Sequence, residues 1–180
     1  SAQGGVVNGV WMNCYFVSNS TTYSSGGGAG GAGDFYGCVF DGNSAPAGKP
    51  QSLLDANVVA NCTFVSTNSA PAFDGQNAYV VANSLVVGTT NSVYGTTNTY
   101  SNYQTSTGAA SVLAADYSPL VPNANVIDAA NATYAGYSGS DILGGSRLVN
   151  GAYDVGAVEV QLGALFPSSG RRSFFWSLMF

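Results

Sequence analysis

Three cysteines are the residues whose type and spacing first suggest chemistry. Cys14, Cys38 and Cys62 follow one another at intervals of 24 residues. Thiolates can act as nucleophiles or metal ligands, and neighbouring thiols can form a disulfide. The chain contains no histidine, which excludes a Cys–His nucleophile and leaves zinc without its usual ligands. We therefore expect a column of small buried thiols, with one disulfide as the alternative, and predict no metal, cofactor or catalytic residue.

The carboxylates are the second group that could do chemistry. Cleavage of a polysaccharide requires two Asp or Glu side chains held together, and calcium requires a dense set of oxygen ligands. Asp34 and Asp41 lie close in the sequence, whereas Asp55 and Asp74 fall in predicted turns. If residues one repeat apart stack, Asp41 lies between two valines and no acidic column forms. We expect solvated turn aspartates rather than a catalytic or calcium site.

The densest group of charges lies towards the C-terminal end and consists of Asp141, Arg147, Asp154 and Glu159. The guanidinium of Arg147 offers five donors in a planar fork that suits a carboxylate. We predict that Arg147 clamps the end of the domain through Asp154 or Asp141. Binding of a substrate by this cluster is the alternative.

The composition limits the class of protein. The chain has 180 residues, 46% of them hydrophobic and only 7% charged, against about 25% charged in an ordinary globular protein. Its net charge of −5 argues against a nucleic-acid partner, because phosphates require clustered Lys and Arg. No apolar run approaches the roughly 18 residues of a membrane-spanning helix. The start at Ser1 indicates a processed product or a piece of a longer protein.

The elements that must position these residues are themselves repeated. The repeats read NCYFVSNST (13–21), GCVFDGNSA (37–45), NCTFVSTNSA (61–70) and NSLVVGTTNS (83–92). Phe16, Phe40 and Phe64 keep the interval of the cysteines, and Ser84 takes the cysteine position in the fourth copy. A period of 22 to 24 residues is typical of a stack of similar units.

Short β-branched and aromatic runs bounded by Asn, Gly and Ser predict strands, at 6–16, 35–40, 58–65 and 79–87. The glycine run 26–33 is interpreted as a turn or flexible lobe. The fold class is therefore all-β, a parallel β-helix (solenoid) with repeats of about 22–24 residues. A β-sandwich is the alternative, although it gives no reason for the same side chains to return at this interval. We predict repeats over 1–99, irregular final repeats and an end piece over 100–160, and an aromatic tail over 161–180.

Residues 5–160 resemble bacterial exported surface proteins with a right-handed parallel β-helix, of the adhesin-like, variable-anchor type, and more loosely the polymorphic outer-membrane proteins. The repeats above carry part of the likeness. The rest lies in SPLV (118–121), VIDAAN (126–131) and DILGGSRLVNGAYDVGAVE (141–159), with Ala130 where the family has glycine. The matching end-motif residues are Asp141, Gly144, Arg147, Asp154, Gly156 and Glu159. The resemblance implies export, an extracellular or cell-surface location, and a structural or adhesive role.

The tail RRSFFWSLMF is the part of the chain outside this resemblance that most suggests association. Phe174, Phe175, Trp176 and Phe180 would form a large apolar surface. We expect them to cover the chain's own core or to join a neighbouring copy, giving a homo-oligomer or filament, with a surface glycan or protein as a further partner. A carbohydrate-active or carbohydrate-binding β-helix and an outer-membrane passenger fragment remain the alternatives.

Overall fold

The computed structural model describes residues 6–66, 71–74, 80–89, 93–94, 99–106, 108–120, 124–135 and 139–160. Within these ranges the chain is almost entirely β structure, with fifteen short strands. Its helical elements there are a 3-10 helix at Ala109–Ser111 and an α-helix at Ala132–Ala135. No helix in the described ranges is long and apolar enough to cross a membrane.

The strands, numbered along the chain, form three parallel sheets of five strands. The first sheet contains β1 (Val6–Val7), β4 (Gly30–Gly31), β7 (Leu53–Leu54), β10 (Phe73–Asp74) and β13 (Val93–Tyr94). The second contains β2 (Val10–Met12), β5 (Asp34–Tyr36), β8 (Val58–Ala60), β11 (Val80–Ala82) and β14 (Thr99–Tyr100). The third contains β3 (Tyr15–Val17), β6 (Val39–Asp41), β9 (Thr63–Val65), β12 (Leu85–Val87) and β15 (Tyr103–Thr105).

Each pass of the chain, called a rung below, adds one strand to each sheet in the same order. All pairings between these strands are parallel. The predicted all-β class is confirmed. Parallel pairing also differs from that of a β-sandwich, whose sheets are antiparallel.

The register follows the sequence repeat and then departs from it. Val10 pairs with Asp34 and Asp34 with Val58, each 24 residues on. The interval falls to 22 between Val58 and Val80, and to 18 between Val81 and Thr99. The repeat therefore continues through β15 although its length is no longer constant.

The change in length is confined to particular connections. Two residues always separate a second-sheet strand from the third-sheet strand that follows it. This corner carries Asn13, Gly37, Asn61 and Asn83, whose φ angles of 50° to 61° are left-handed. Asparagine and glycine tolerate that conformation best, which explains their return at this place in the first four rungs. The fifth rung has Ser101 there, with a φ of 48°. The connection from the third sheet to the first shortens from 12 residues after β3 to 5 after β12.

One apolar core is shared by the three sheets. Alternation along each strand turns one set of side chains inward, and phenylalanine dominates it. The rings of Phe16 and Phe40 are stacked with centroids 5.0 Å apart, and those of Phe40 and Phe64 with centroids 4.6 Å apart. Phe73 of the first sheet continues the stack at 4.8 Å from Phe64. The stacked phenylalanines thus join two of the sheets through the core.

The glycine run 26–33 is not a flexible lobe, which corrects the interpretation from sequence. Gly26 to Gly31 are buried, and β4 pairs on both sides within the first sheet. A Cβ on Gly27 would lie 2.9 Å from the Cβ of Leu54, and a Cβ on Gly28 would meet the carbonyl oxygens of Ser44 and Gln51. Gly27 and Gly28 have no side chain because the neighbouring rung approaches too closely to admit one.

Residues 108–160, the C-terminal segment, pack against the third sheet. Leu85 and Val87, on the opposite face of β12 from Val86, form a second apolar cluster with this segment. The segment contributes Val112, Leu113, Val126 and Val155 to the cluster. The outer face of the third sheet is therefore largely covered.

Candidate functional site

The cysteines occupy one corner of successive rungs. Cys14, Cys38 and Cys62 are free thiols, each in contact with the backbone carbonyl oxygen two residues earlier. The hydroxyl of Ser84 repeats this contact with the carbonyl of Ala82 at 3.0 Å. A serine can replace the thiol because the position needs a small side chain that donates to this carbonyl.

The surroundings of the thiols do not favour a reactive cysteine. Cys38 and Cys62 are buried and Cys14 is partly exposed. Burial raises the pKa of the Cys62 thiol well above its ordinary value, so it carries little thiolate at neutral pH. Within the described residues no group of three Cys, Asp or Glu side chains could hold a metal ion. The column is an internal support.

Arg147 lies at the centre of the charged cluster and is 1% exposed. Its terminal nitrogens donate to backbone carbonyls, of Gly156 at 2.8 Å and of Asp154 at 3.1 Å. Its Nε lies 3.9 Å from Oε2 of Glu159 in an ion pair without a hydrogen bond. The partners thus differ from the expected carboxylates of Asp154 or Asp141, because those carboxylates accept backbone N–H groups instead.

The three carboxylates of the cluster are likewise buried and each holds backbone N–H groups. Asp141 accepts from Leu143, Gly145 and Glu159. Asp154 accepts from Asp128 and Val160, and Glu159 accepts from Asp154. These bonds connect parts of the C-terminal segment up to 26 residues apart. The cluster fastens the fold of the segment and offers no open surface for a substrate.

The cluster holds three carboxyl groups against one guanidinium. Burial raises the pKa of Glu159 to about 8, and Arg147 lowers it only in part. Burial also raises the pKa of Asp154. A proton on Glu159 reduces the excess negative charge in this interior.

The corner asparagines attach the C-terminal segment to the rungs. The side-chain nitrogen of Asn83 donates to the carbonyl of Asn131 at 3.0 Å, and its oxygen accepts the N–H of Asn131 at 2.7 Å. Asn61 and Asn13 donate to the carbonyls of Tyr134 and Ser140. The partners of these asparagines are separated from them by 48 to 127 residues in the sequence and left no local signal.

The cleft beside Asp41 is an open site whose residues could bind a ligand. In register Asp41 lies between Val17 and Val65, so it places a carboxylate between two apolar side chains. Oδ2 of Asp41 accepts the hydroxyl of Tyr117 at 2.8 Å. A cavity of about 390 Å³ opens between them and the 3-10 helix, with Val65 and Leu113 in its wall.

Tyr117 is held in position by the hairpin that carries it. Backbone bonds join Ala114 to Ser118 and Leu120 to Val112, and the Tyr117 N–H donates to Ala114. Its φ of 67° lies in the left-handed region, which costs energy for a bulky residue. Burial and the Asp41 carboxylate raise the pKa of Tyr117 to about 12, so the hydroxyl stays protonated.

The first rung presents a different candidate, an apolar surface. Val10, Met12, Tyr15 and Val17 are 64%, 45%, 47% and 46% exposed. β1, β2 and β3 are each the last strand of a sheet and have one neighbour among the described strands. The aromatic tail, including Phe174, lies outside the described residues.

Comparison of the chain with protein-family models, with curated proteins and with solved structures finds no match.

Proposed function

We propose that the chain is a structural, non-enzymatic segment of a right-handed parallel β-helix, exported to a bacterial surface, and that copies associate end to end. The observation that carries the proposal is the common edge at which all three sheets end. There β1, β2 and β3 leave one side without a described partner strand. Unpaired strand edges are templates for further pairing.

The order of the strands supports the β-helix. The chain visits the three sheets in a fixed sequence through five rungs, and one core contains residues from all three. A coil of this kind needs its end rungs covered, because they otherwise expose backbone groups and apolar interior. The right-handed coil, the export and the surface location rest on the resemblance of the repeats and the end motif.

The first and last rungs could pair with each other, because each consists of edge strands. The last rung, β13 to β15, also has one described neighbour strand per sheet. A first rung placed on a last rung would continue all three parallel sheets. Such contacts join unlike surfaces and do not close into a ring unless the rotation allows it, so they generate filaments.

Apolar side chains favour association at the first rung. Trp11 and Cys14 pack against the core and are only partly buried, beside the exposed Val10 and Val17. Burial of this surface and pairing of the backbone would supply the free energy. We assign the aromatic tail, with Phe174, a second role in the same association.

The alternative of a carbohydrate-active enzyme has less support. An enzyme of this class needs carboxylates from adjacent rungs on one outer face. The described part of the third sheet places Asp41 between Val17 and Val65, and the Asp141–Glu159 cluster is buried. We therefore assign the chain no reaction.

Sedimentation velocity and negative-stain electron microscopy of the purified protein test the proposal. We expect the sedimentation coefficient to rise with protein concentration, and rods to form whose length grows without a fixed limit. Because the contact is apolar, association should change little between about 0.05 and 1 M salt.

A matched pair of variants locates the contact. Trp11→Lys places a charge on the core-facing side of the first rung, where the next copy would pack, and should abolish the rods. Leu143→Lys with Leu148→Lys changes two side chains that are each 50% exposed in the C-terminal segment and should leave the rods intact. A monodisperse monomer at high concentration, or equal loss of rods in both variants, would overturn end-to-end association.

A further inference from the structure

We propose that the cleft between Asp41 and Tyr117 binds an organic ammonium group, the cationic end of a ligand with an apolar body. This goes beyond the scaffold function, since it concerns the side of the stack rather than its end. The arrangement of charge, aromatic surface and apolar wall around one cavity carries the inference.

The first argument is the position of Asp41. In its column the rungs on either side have Val17 and Val65. A valine at residue 41 would fit the repeat and bury more apolar surface. The carboxylate therefore has no role in the stack itself, and among the described residues it forms no ion pair.

The second argument is the construction of the cleft wall. One oxygen of Asp41 is fixed by the Tyr117 hydroxyl at 2.8 Å, which orients the carboxylate. Tyr117 itself lines the cavity, and Tyr15, which is outside the lining, packs against it with ring centroids 6.0 Å apart. A cation in the cleft gains from both the Asp41 carboxylate and the negative face of the Tyr117 ring.

The third argument is size and composition. A volume of about 390 Å³ falls in the range of small-molecule sites. Val65, Leu113 and Ala109 line it, and no Lys or Arg is among its described lining residues. The apolar wall suits the methyl or methylene groups around a quaternary or primary ammonium. The net charge of −5 favours the approach of a cation further.

The strained backbone of Tyr117 supports the same conclusion. Its φ of 67° is maintained by the hairpin bonds on either side. A glycine would adopt this conformation without cost. A tyrosine at this position has the conformational cost of the left-handed backbone, but it brings its ring and hydroxyl to Asp41. Such backbone strain is expected where a ligand site is formed.

A pair of isosteric probes tests the inference on the unaltered protein. Choline carries a quaternary ammonium, and 3,3-dimethyl-1-butanol has the same shape with a neutral carbon in its place. Titration followed by calorimetry and saturation-transfer NMR should show choline binding in the millimolar range and the neutral alcohol binding at least tenfold more weakly. Equal affinities, or no choline binding at about 50 mM, would overturn the proposal.

Variants then assign the charge. Asp41→Asn keeps the shape and an acceptor for Tyr117, and should weaken choline binding at least tenfold. Asp34→Asn removes a half-buried aspartate of the same rung that is remote from the cleft, and should leave binding unchanged. Tyr117→Phe should weaken binding less than Asp41→Asn while the far-UV circular dichroism stays unchanged. Unaltered binding in Asp41→Asn would refute the assignment.

Discussion

Single residues act in this protein mostly by holding backbone groups. Arg147 illustrates this, since it donates to two carbonyls and has only a long ion pair with Glu159. The sequence identifies the charged residues that gather, because they are rare in so uncharged a chain. The sequence does not show which carbonyl oxygens Arg147 contacts, because every residue has one. Their approach to Arg147 depends on how the segment folds.

The buried excess of carboxylates predicts how stability depends on pH. The folded-state pKa of Glu159 is raised from its ordinary 4.5 to about 8, so the folded protein holds this proton more tightly than the unfolded chain. Its contribution to stability is complete below pH 4.5 and is lost as pH rises through about 8. The melting temperature should fall by about 3 °C or more between pH 6 and pH 9.

Calorimetry of the wild-type protein and of Glu159→Gln measures this effect. Glutamine resembles the protonated carboxyl and carries no titrating proton, so the variant should lose most of the pH dependence. A wild-type melting temperature that is constant or rises over this range would contradict the assignment.

At the scale of the element, the corner asparagines decide how the C-terminal segment attaches. Asn83→Ala removes both hydrogen bonds to Asn131 and the hydrogen bond to Asn61. The groups of Asn131 and Asn61 that lose these bonds remain buried or half-buried. We expect a loss of about 1–3 kcal/mol. Hydrogen exchange should accelerate in residues 126–134 before it does in the third sheet.

Asn8→Ala is the control for that change. Asn8 has a φ of 52°, close to the 50° of Asn83, so both substitutions strain the backbone similarly. Asn8 is exposed, and its side chain makes no hydrogen bond to the described part of the C-terminal segment. Equal destabilisation by the two substitutions would show that the cost comes from the corner backbone and that the side-chain bonds add nothing.

The glycine run gives a second prediction about an element. Gly28→Ala places a Cβ against the carbonyl oxygens of Ser44 and Gln51, so the first sheet must shift. The free energy of unfolding should fall by about 1–3 kcal/mol. Gly108→Ala, where a Cβ meets nothing within 4 Å, should be neutral. Urea denaturation of both variants compares them, and tolerance of Gly28→Ala would contradict the close packing.

The interval in the sequence was enough to predict which residues stack, but not every part of the architecture. The stacking of Phe16, Phe40 and Phe64 follows from their constant 24-residue spacing. The 18-residue interval that places Thr99 beside Val81 could not be anticipated, because a shorter loop leaves strand pairing intact and erases the periodicity. The contact between Asp41 and Tyr117 spans 76 residues and depends on how the C-terminal segment docks.

At the scale of the whole molecule, Cys14 can report on association. It lies in the first rung and is partly exposed, whereas Cys38 and Cys62 are buried. In the separated protein an aromatic disulfide reagent should modify Cys14 first and Cys62 last. If copies stack end to end, the rate at Cys14 should fall as protein concentration rises. A rate independent of concentration, in samples that contain rods, would place the contact elsewhere.

The unequal loops have a practical consequence for the shape and use of such a stack. Two residues turn every corner between the second and third sheets, while the connection from the third sheet back to the first varies from 12 to 5. Foreign peptides inserted along that one side would be displayed in a line, at the spacing of neighbouring strands, about 4.8 Å per rung. A grafted epitope or enzyme tag at exposed positions of these connections, such as Ser24 and Gly48, would leave strand pairing undisturbed. This side of the stack is therefore the natural place for sequence to diverge or be engineered.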